Sequence, residues 1–194
     1  MAYELLSREL KYRGRIFEFS IDQVLFQSGA TVQIDVIHHR GGAAVVAITD
    51  KEEVVLVKQY RHPMGEYLLE LPAGKIDLGD NPEQTAAKEL VEEAGFKATG
   101  LKLLTTTYPA PGYSGERLYI YLAEGLESVE RQPDFDEEIE VVYLPFKQAC
   151  EMIFNGEIRD AKTIIGLLTT EKLLKSSSPK PYSPIEGIDN SPVL

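Results

Sequence analysis

The chain has 194 residues, 43% of them hydrophobic, and 31 acidic against 20 basic side chains leave it with a formal charge of −11. That length suits one domain with an appendage, and the charge excludes a nucleic-acid binder that works through a basic surface. The single cysteine excludes an internal disulfide, no apolar run approaches the roughly 18 residues of a membrane span, and Met1–Leu6 lacks a basic region leading into an apolar stretch. The chain therefore reads as soluble and cytoplasmic, with neither nucleic acid nor membrane as partner.

In chain order, residues 3–39 alternate as strands do. Ile16, Phe17, Phe19, Ile21, Val24 and Phe26 lead to a turn at Gln27–Ala30, and Thr31 to His39 runs back. Residues 1–40 are expected to form an antiparallel extension, which is marginal alone and must pack on its own domain or on a second subunit. His38 and His39 are adjacent on a strand, so they point to opposite faces and do not make a ligand pair. From Gly41 the pattern changes. Ala43–Thr49, Val54–Arg61, Tyr67–Leu71, Leu101–Thr107, Arg117–Ala123 and Ile139–Leu144 read as strands, and Phe146–Asn155 and Ala161–Leu174, the latter capped by Asp160, read as helices. Cys150 sits on the apolar stripe of the first of these two, as a core thiol. Alternation of sheet and helix over residues 41–175 predicts an α/β layered domain. The Pro- and Ser-rich stretch 176–194 is expected to be a tail without regular structure.

The stretch from Gly74 to Phe96 reads as loop, helix, loop. Asn81 suits the N-cap, Pro82 the first helical position and Gly95 the left-handed position beyond the end, which sets a helix over Pro82–Ala94. On it Glu89, Glu92 and Glu93 share one face at i, i+3 and i+4. An isolated acidic run of this kind is ordinarily a solvated face. If the face is enclosed, like charges require a compensating cation, and hard oxygen ligands point to Mg²⁺ or Mn²⁺.

The frame around those carboxylates is specific. Gly74, an acid at Asp80, a base at Lys88 and then Glu89-Leu90-Val91-Glu92-Glu93-Ala94-Gly95-Phe96 resembles the Nudix box, the signature of Mg-dependent hydrolases of nucleoside diphosphates linked to another moiety. Asp80 stands where the family has Glu and Lys88 where it has Arg, so the loop-to-helix clamp of that pair keeps its charges but loses the guanidinium fork. Val57-Lys58-Gln59-Tyr60-Arg61, Glu70-Leu71-Pro72-Ala73-Gly74-Lys75-Ile76-Asp77, the segment from Tyr108 to Glu116 and Ile158-Arg159-Asp160-Ala161-Lys162-Thr163 look like the ADP-ribose pyrophosphatase branch, whose usual proline after the box falls on Pro111.

The resemblance implies an α/β/α sandwich with a mixed sheet, carrying the N-terminal antiparallel extension, and a homodimer in which the extensions pack across the two-fold. It implies two or three Mg²⁺ ions, with Mn²⁺ as the alternative, held by Glu89, Glu93 and the backbone carbonyl of Ala73, with Glu92 sharing a metal or orienting water. A further acid for the metal or for general-base work falls on Glu137, with Asp136 or Glu138 next and Phe135 where some relatives carry another glutamate. Arg61 is implied as a diphosphate or sugar-phosphate contact, and Glu116 and Pro111 as substrate-side positions. The expected reaction is hydrolysis of a nucleoside diphosphate sugar, ADP-ribose to AMP and ribose 5-phosphate first. The alternatives are another nucleotide sugar such as GDP-mannose, or a nucleotide-binding module without turnover.

Overall fold

The computed structural model describes residues 3–132 and 138–176. Glu137 and Asp136, expected near the site, and the tail from residue 177 onward lie outside the described residues. Two units account for the rest, and no cut at a single point of the chain reproduces them: the first holds residues 3–41 together with 108–117, the second residues 42–107 and the remainder from 118 on.

In the first unit, β1 (Tyr3–Arg13), β2 (Glu18–Phe26) and β3 (Thr31–His38) form an antiparallel meander in that order. β1 is bent by register shifts between Leu5 and Ser7 and between Leu10 and Tyr12, and it is exposed along its whole length. The far side of β3 meets the 108–117 segment, where Ile37 donates its N–H to the Tyr113 carbonyl at 2.7 Å and accepts from Gly115 N–H at 2.9 Å.

The second unit is layered. One sheet runs β7 (Ala73–Lys75), β4 (Gly42–Val46), β9 (Leu118–Ser128), β8 (Phe96–Thr107), with β4 and β9 parallel; the other runs β10 (Ile139–Pro145), β5 (Glu53–Arg61), β6 (Glu66–Glu70). β4 is apolar at every position because both of its faces are covered. Ala43, Val45 and Ala47 pack with Ala86, Leu90 and Ala94 of α1 (Pro82–Ala94). Ala44 and Val46 pack instead with Ala149, Cys150 and Met152 of α2 (Phe146–Phe154) and Leu167 of α3 (Ala161–Lys175). The period-2 alternation of one strand thus joins two helical layers into an α/β/α sandwich. Burial pushes the Cys150 thiol up to about 11, as suits a core residue rather than a nucleophile.

α1 begins and ends where its own sequence dictates. Asn81 accepts from Gln84 N–H at 2.9 Å while the Gln84 side chain accepts from Asn81 N–H at 3.0 Å, and Gly95 closes the helix at φ 74°. α3 starts on Asp160, which accepts from Thr163 N–H at 2.9 Å. It lies so close to the sheet that a Cβ on Gly166 would stand 2.6 Å from Leu71 Cδ1 and 3.0 Å from Val46 Cγ2. Among the described residues no helix is long and apolar enough to cross a membrane.

Candidate active site

The acidic face of α1 turns inward. Glu93 is buried, and its Oε2 accepts the backbone N–H of Ala73 at 2.8 Å. The Glu89 carboxylate occupies the space over Gly74, where a Cβ would stand 1.7 Å from Oε1. Glu89 thus lies against Gly74 while Glu93 bonds Ala73, so the two glutamates one turn apart meet successive residues of β7. Glu92 is half-buried and is the largest of the charges that hold the Lys88 ammonium above its ordinary pKa, with Asp77, Glu89 and Asp80 adding to it.

That basic residue does not make the expected bridge. Lys88 Nζ lies 3.8 Å from Asp77, not on Asp80, which reaches it only through the field. The reason is local: Asp80 N–H turns back to the Asp77 carbonyl at 3.2 Å around Gly79 at φ 96°, so Asp77 is the acid set facing the helix. Both side chains are about half exposed, and such a pair contributes little, on the order of 0–1 kcal/mol.

Beside the carboxylates lies a second, buried charge cluster that inspection of the sequence did not identify. Arg61 ends β5 and grips Glu70 of β6 with Nε at 2.6 Å and Nη2 at 2.7 Å. Glu70 is 1% exposed and takes a second cation, Lys162 of α3, which also pairs with Asp160 at 3.1 Å. Burial works to raise the Glu70 pKa, but the bonds from Arg61 and Lys162 outweigh it and hold the carboxyl below its usual range. The Arg61 guanidinium is shifted up, first by its bond to Glu70 and further by the charges of Glu93 and Asp160. Arg61 is thereby in the electrostatic reach of the helix carboxylates. Its fork uses Nε and Nη2, which leaves Nη1 outside it on a side chain 38% exposed. The clue in the sequence was that Glu70 and Lys162 fall inside two of the motifs singled out there, but nothing in either motif pairs them.

The remaining expected positions have surroundings of their own. Pro111 and Glu116 belong to the first unit. Pro111 is in a turn closed on the Ala110 carbonyl, which accepts from Tyr113 N–H at 3.2 Å and from Ser114 N–H at 2.9 Å. Glu116 approaches His39 Nδ1 at 3.7 Å, yet that nitrogen accepts Gly41 N–H at 2.9 Å and so has no proton to give. The contact is a proximity, not an ion pair. His38 turns to other partners, Ser20 and Asp22, as adjacent strand positions require. Glu138 is exposed just ahead of β10.

As a donor set, the α1 carboxylates with the β7 backbone suit a hard divalent cation. Among the described residues no group of three or more acidic, histidine or cysteine side chains converges as a ready cage. An octahedral ion that keeps waters and takes one or two carboxylates together with substrate phosphates does not need one.

Known proteins resemble this chain over most of its length. The ADP-ribose pyrophosphatase of Mycobacterium tuberculosis is 37% identical over 191 residues, covering 96% of this chain and 92% of its own length. That of Bacillus subtilis is 34% identical over 160 residues, covering 81% and 86%. A solved structure described as an ADP compounds hydrolase superposes with a TM-score of 0.79 at 24% identity, covering 90% of this chain and 95% of its own, which speaks for a shared fold. The NUDIX domain matches residues 38–166, and with the inward-facing glutamates of α1 seated on Ala73 and Gly74, the chain belongs to the NUDIX family.

Proposed function

We propose that this protein hydrolyses the diphosphate linkage of a nucleoside diphosphate sugar, with ADP-ribose giving AMP and ribose 5-phosphate. The observation that carries the reading is the seating of Glu89 over Gly74 and Glu93 on Ala73 N–H, with the Arg61 guanidinium close enough to feel Glu93. A pure binder of anions would gain nothing from carboxylates gathered on one inward face, in a chain already at −11. The relatives' names point to the same linkage.

Glu89, Glu93 and the Ala73 carbonyl are the groups that would hold Mg²⁺ or Mn²⁺, two or three ions in all, with Glu92 alongside. Such ions, when bound, offset the diphosphate charge and lower the pKa of a coordinated water from near 16 by several units. The chain's own part is positional. Arg61 offers Nη1 to a phosphate oxygen, Glu92 orients water, and an acid ahead of β10, Glu137 first and Asp136 or Glu138 next, accepts the proton. Water adds to one phosphorus as the bridging oxygen leaves with the other. Glu116 and Pro111 stay proposed as substrate-binding positions on the resemblance, and Asp80 adds to the charge that steadies Lys88.

The test is a panel of nucleotide sugars, ADP-ribose and GDP-mannose among them, incubated with Mg²⁺ and resolved by product chromatography. AMP and ribose 5-phosphate are expected. Glu89→Gln or Glu93→Gln should slow turnover by about 10²-fold or more, as loss of a charged ligand does. A panel that survives unbroken, or near-normal rates in both variants, rejects the proposal, and tight binding without product release would favour a nucleotide-binding module.

The working form proposed is a homodimer paired through the first unit. Tyr3, Leu5, Leu10 and Tyr12 are each 45–62% exposed on an eleven-residue edge strand, an arrangement that a monomer ordinarily blunts. Sedimentation equilibrium should give twice the chain mass, and removal of residues 1–13 should give monomers. A full-length monomer at micromolar concentration would dismiss the dimer.

A further inference from the structure

Three residues at the start of α3 reach back to β6 and the residue after it. Arg159 pairs with Glu66, Lys162 with Glu70, and Thr163 Oγ1 accepts the backbone N–H of Leu71 at 2.8 Å. The Thr163 hydroxyl proton goes to Asp160 at 2.6 Å, so the hydroxyl both donates and accepts. Gly166, one turn on, lets the helix settle against Leu71 closely enough for these bonds to form. Leu71 is two residues before Ala73, the residue fastened to Glu93, and Glu70 is the residue that aims Arg61.

The charges in the cluster have a definite sum. Arg61 and Lys162 carry two positive charges, Glu70 and Asp160 two negative, and the group is neutral as a whole. A buried carboxylate with Arg61 as its sole counter-charge would claim that guanidinium fully, because an unpaired charge in the interior is far more costly than a paired one. With Lys162 on the same carboxylate, part of Arg61's charge is free to act on an anion.

We propose that Lys162 is a positioning residue for substrate: it shares the charge of Glu70, so that Arg61 is held in one orientation by its fork while Nη1 stays available to a substrate phosphate. Thr163 supports it by fixing the backbone between Glu70 and Ala73. The inference rests on the nucleoside diphosphate hydrolysis proposed above and deepens it, since it assigns to the first turn of α3 a role in binding the anionic part of the substrate.

The experiment compares wild type with Lys162→Met, Lys162→Gln and Lys162→Arg in steady-state hydrolysis of ADP-ribose with Mg²⁺, with thermal melting of each. Removing the cation leaves the cluster with net charge −1 facing an anion, so Lys162→Met is expected to raise KM about tenfold and change kcat less than threefold, the pattern of an interaction common to ground and transition states. Lys162→Gln keeps a donor to Glu70 without the charge and should raise KM in the same way if Lys162→Met does not fold. Lys162→Arg should restore KM to within threefold of wild type. A purely structural role would lower the melting temperature and the active fraction and leave KM where it was. An unchanged KM in a folded, uncharged variant, or a Lys162→Arg protein that behaves like Lys162→Met, overturns the inference alone. A wild-type chain that leaves ADP-ribose and the rest of the panel intact overturns the proposed function, and this inference with it.

Discussion

Asp22 in the first unit and Glu70 in the second are both nearly fully buried carboxylates gripped by an arginine, and their surroundings diverge from there. Arg8 contacts Asp22 through Nε at 3.0 Å and Nη2 at 2.8 Å, much as Arg61 contacts Glu70. At Asp22 the next partner is a neutral hydroxyl: Ser20 donates to it at 2.7 Å and so accepts from His38 Nε2 at 2.7 Å. At Glu70 the next partner is a second cation, Lys162, itself tied to Asp160. One cluster therefore ends in an imidazole that burial, and then Arg8, hold below its ordinary pKa and thus neutral. The other ends in charge shared between two cations. The same fork serves a closed structural knot in one place and an oriented, partly unspent guanidinium in the other; what separates them is the third partner.

The largest effect should come from removing each acid. Asp22→Ala and Glu70→Ala each take a buried carboxylate from a partly exposed arginine, 31% exposed for Arg8 and 38% for Arg61, and each is expected to cost about 1–3 kcal/mol in denaturant unfolding. Only Glu70→Ala should also raise KM for the hydrolysed nucleotide sugar in the folded fraction. If Asp22→Ala moved KM as far, the distinction between the two clusters would vanish.

A smaller effect sharpens the same contrast through pH. The folded pKa of His38 lies below its ordinary 6.5, so the stability it contributes is complete above 6.5 and is lost as the pH falls through the folded value. Asp22 and Glu70 are likewise shifted down, from 3.8 and 4.5, so their contributions are present above those values and lost at lower pH still, as the folded values are crossed. Acidification should therefore weaken the protein in two stages, the first belonging to His38. In urea titrations across this range His38→Asn should remove the early stage and leave the later one. A single stage in the wild type, or an early stage that survives the substitution, would contradict this assignment.

What was legible in the sequence was what neighbours along the chain determine. Asn81, Pro82 and Gly95 fix α1 at both ends without outside help, and the sharing of one face by three glutamates follows from helical spacing, though not that this face turns inward. β4 was legible as an apolar strand, while its burial on both faces came from the structure. The Lys162–Glu70 pair was not, because 92 residues separate the partners and only the close seating allowed by Gly166 brings them together. The choice of Asp77 over Asp80 by Lys88 depended on a turn at Gly79 whose direction the residue types leave open. Neither could residues 108–117 be assigned to the first unit from their own pattern, since the bonds that place them there run to Ile37.

The central strand of the layered unit has a consequence for how the polypeptide is made. β4 is among the first segments of its unit to be synthesised, yet its parallel neighbour β9 begins only at Leu118, and the antiparallel alternative, β7, offers three residues. A nascent chain must therefore carry Ala43–Ala47, wholly apolar, until Leu118–Leu122 have been made and the strand that covers this edge exists. Ribosome-bound intermediates stopped short of Leu118 are where chaperones should be found.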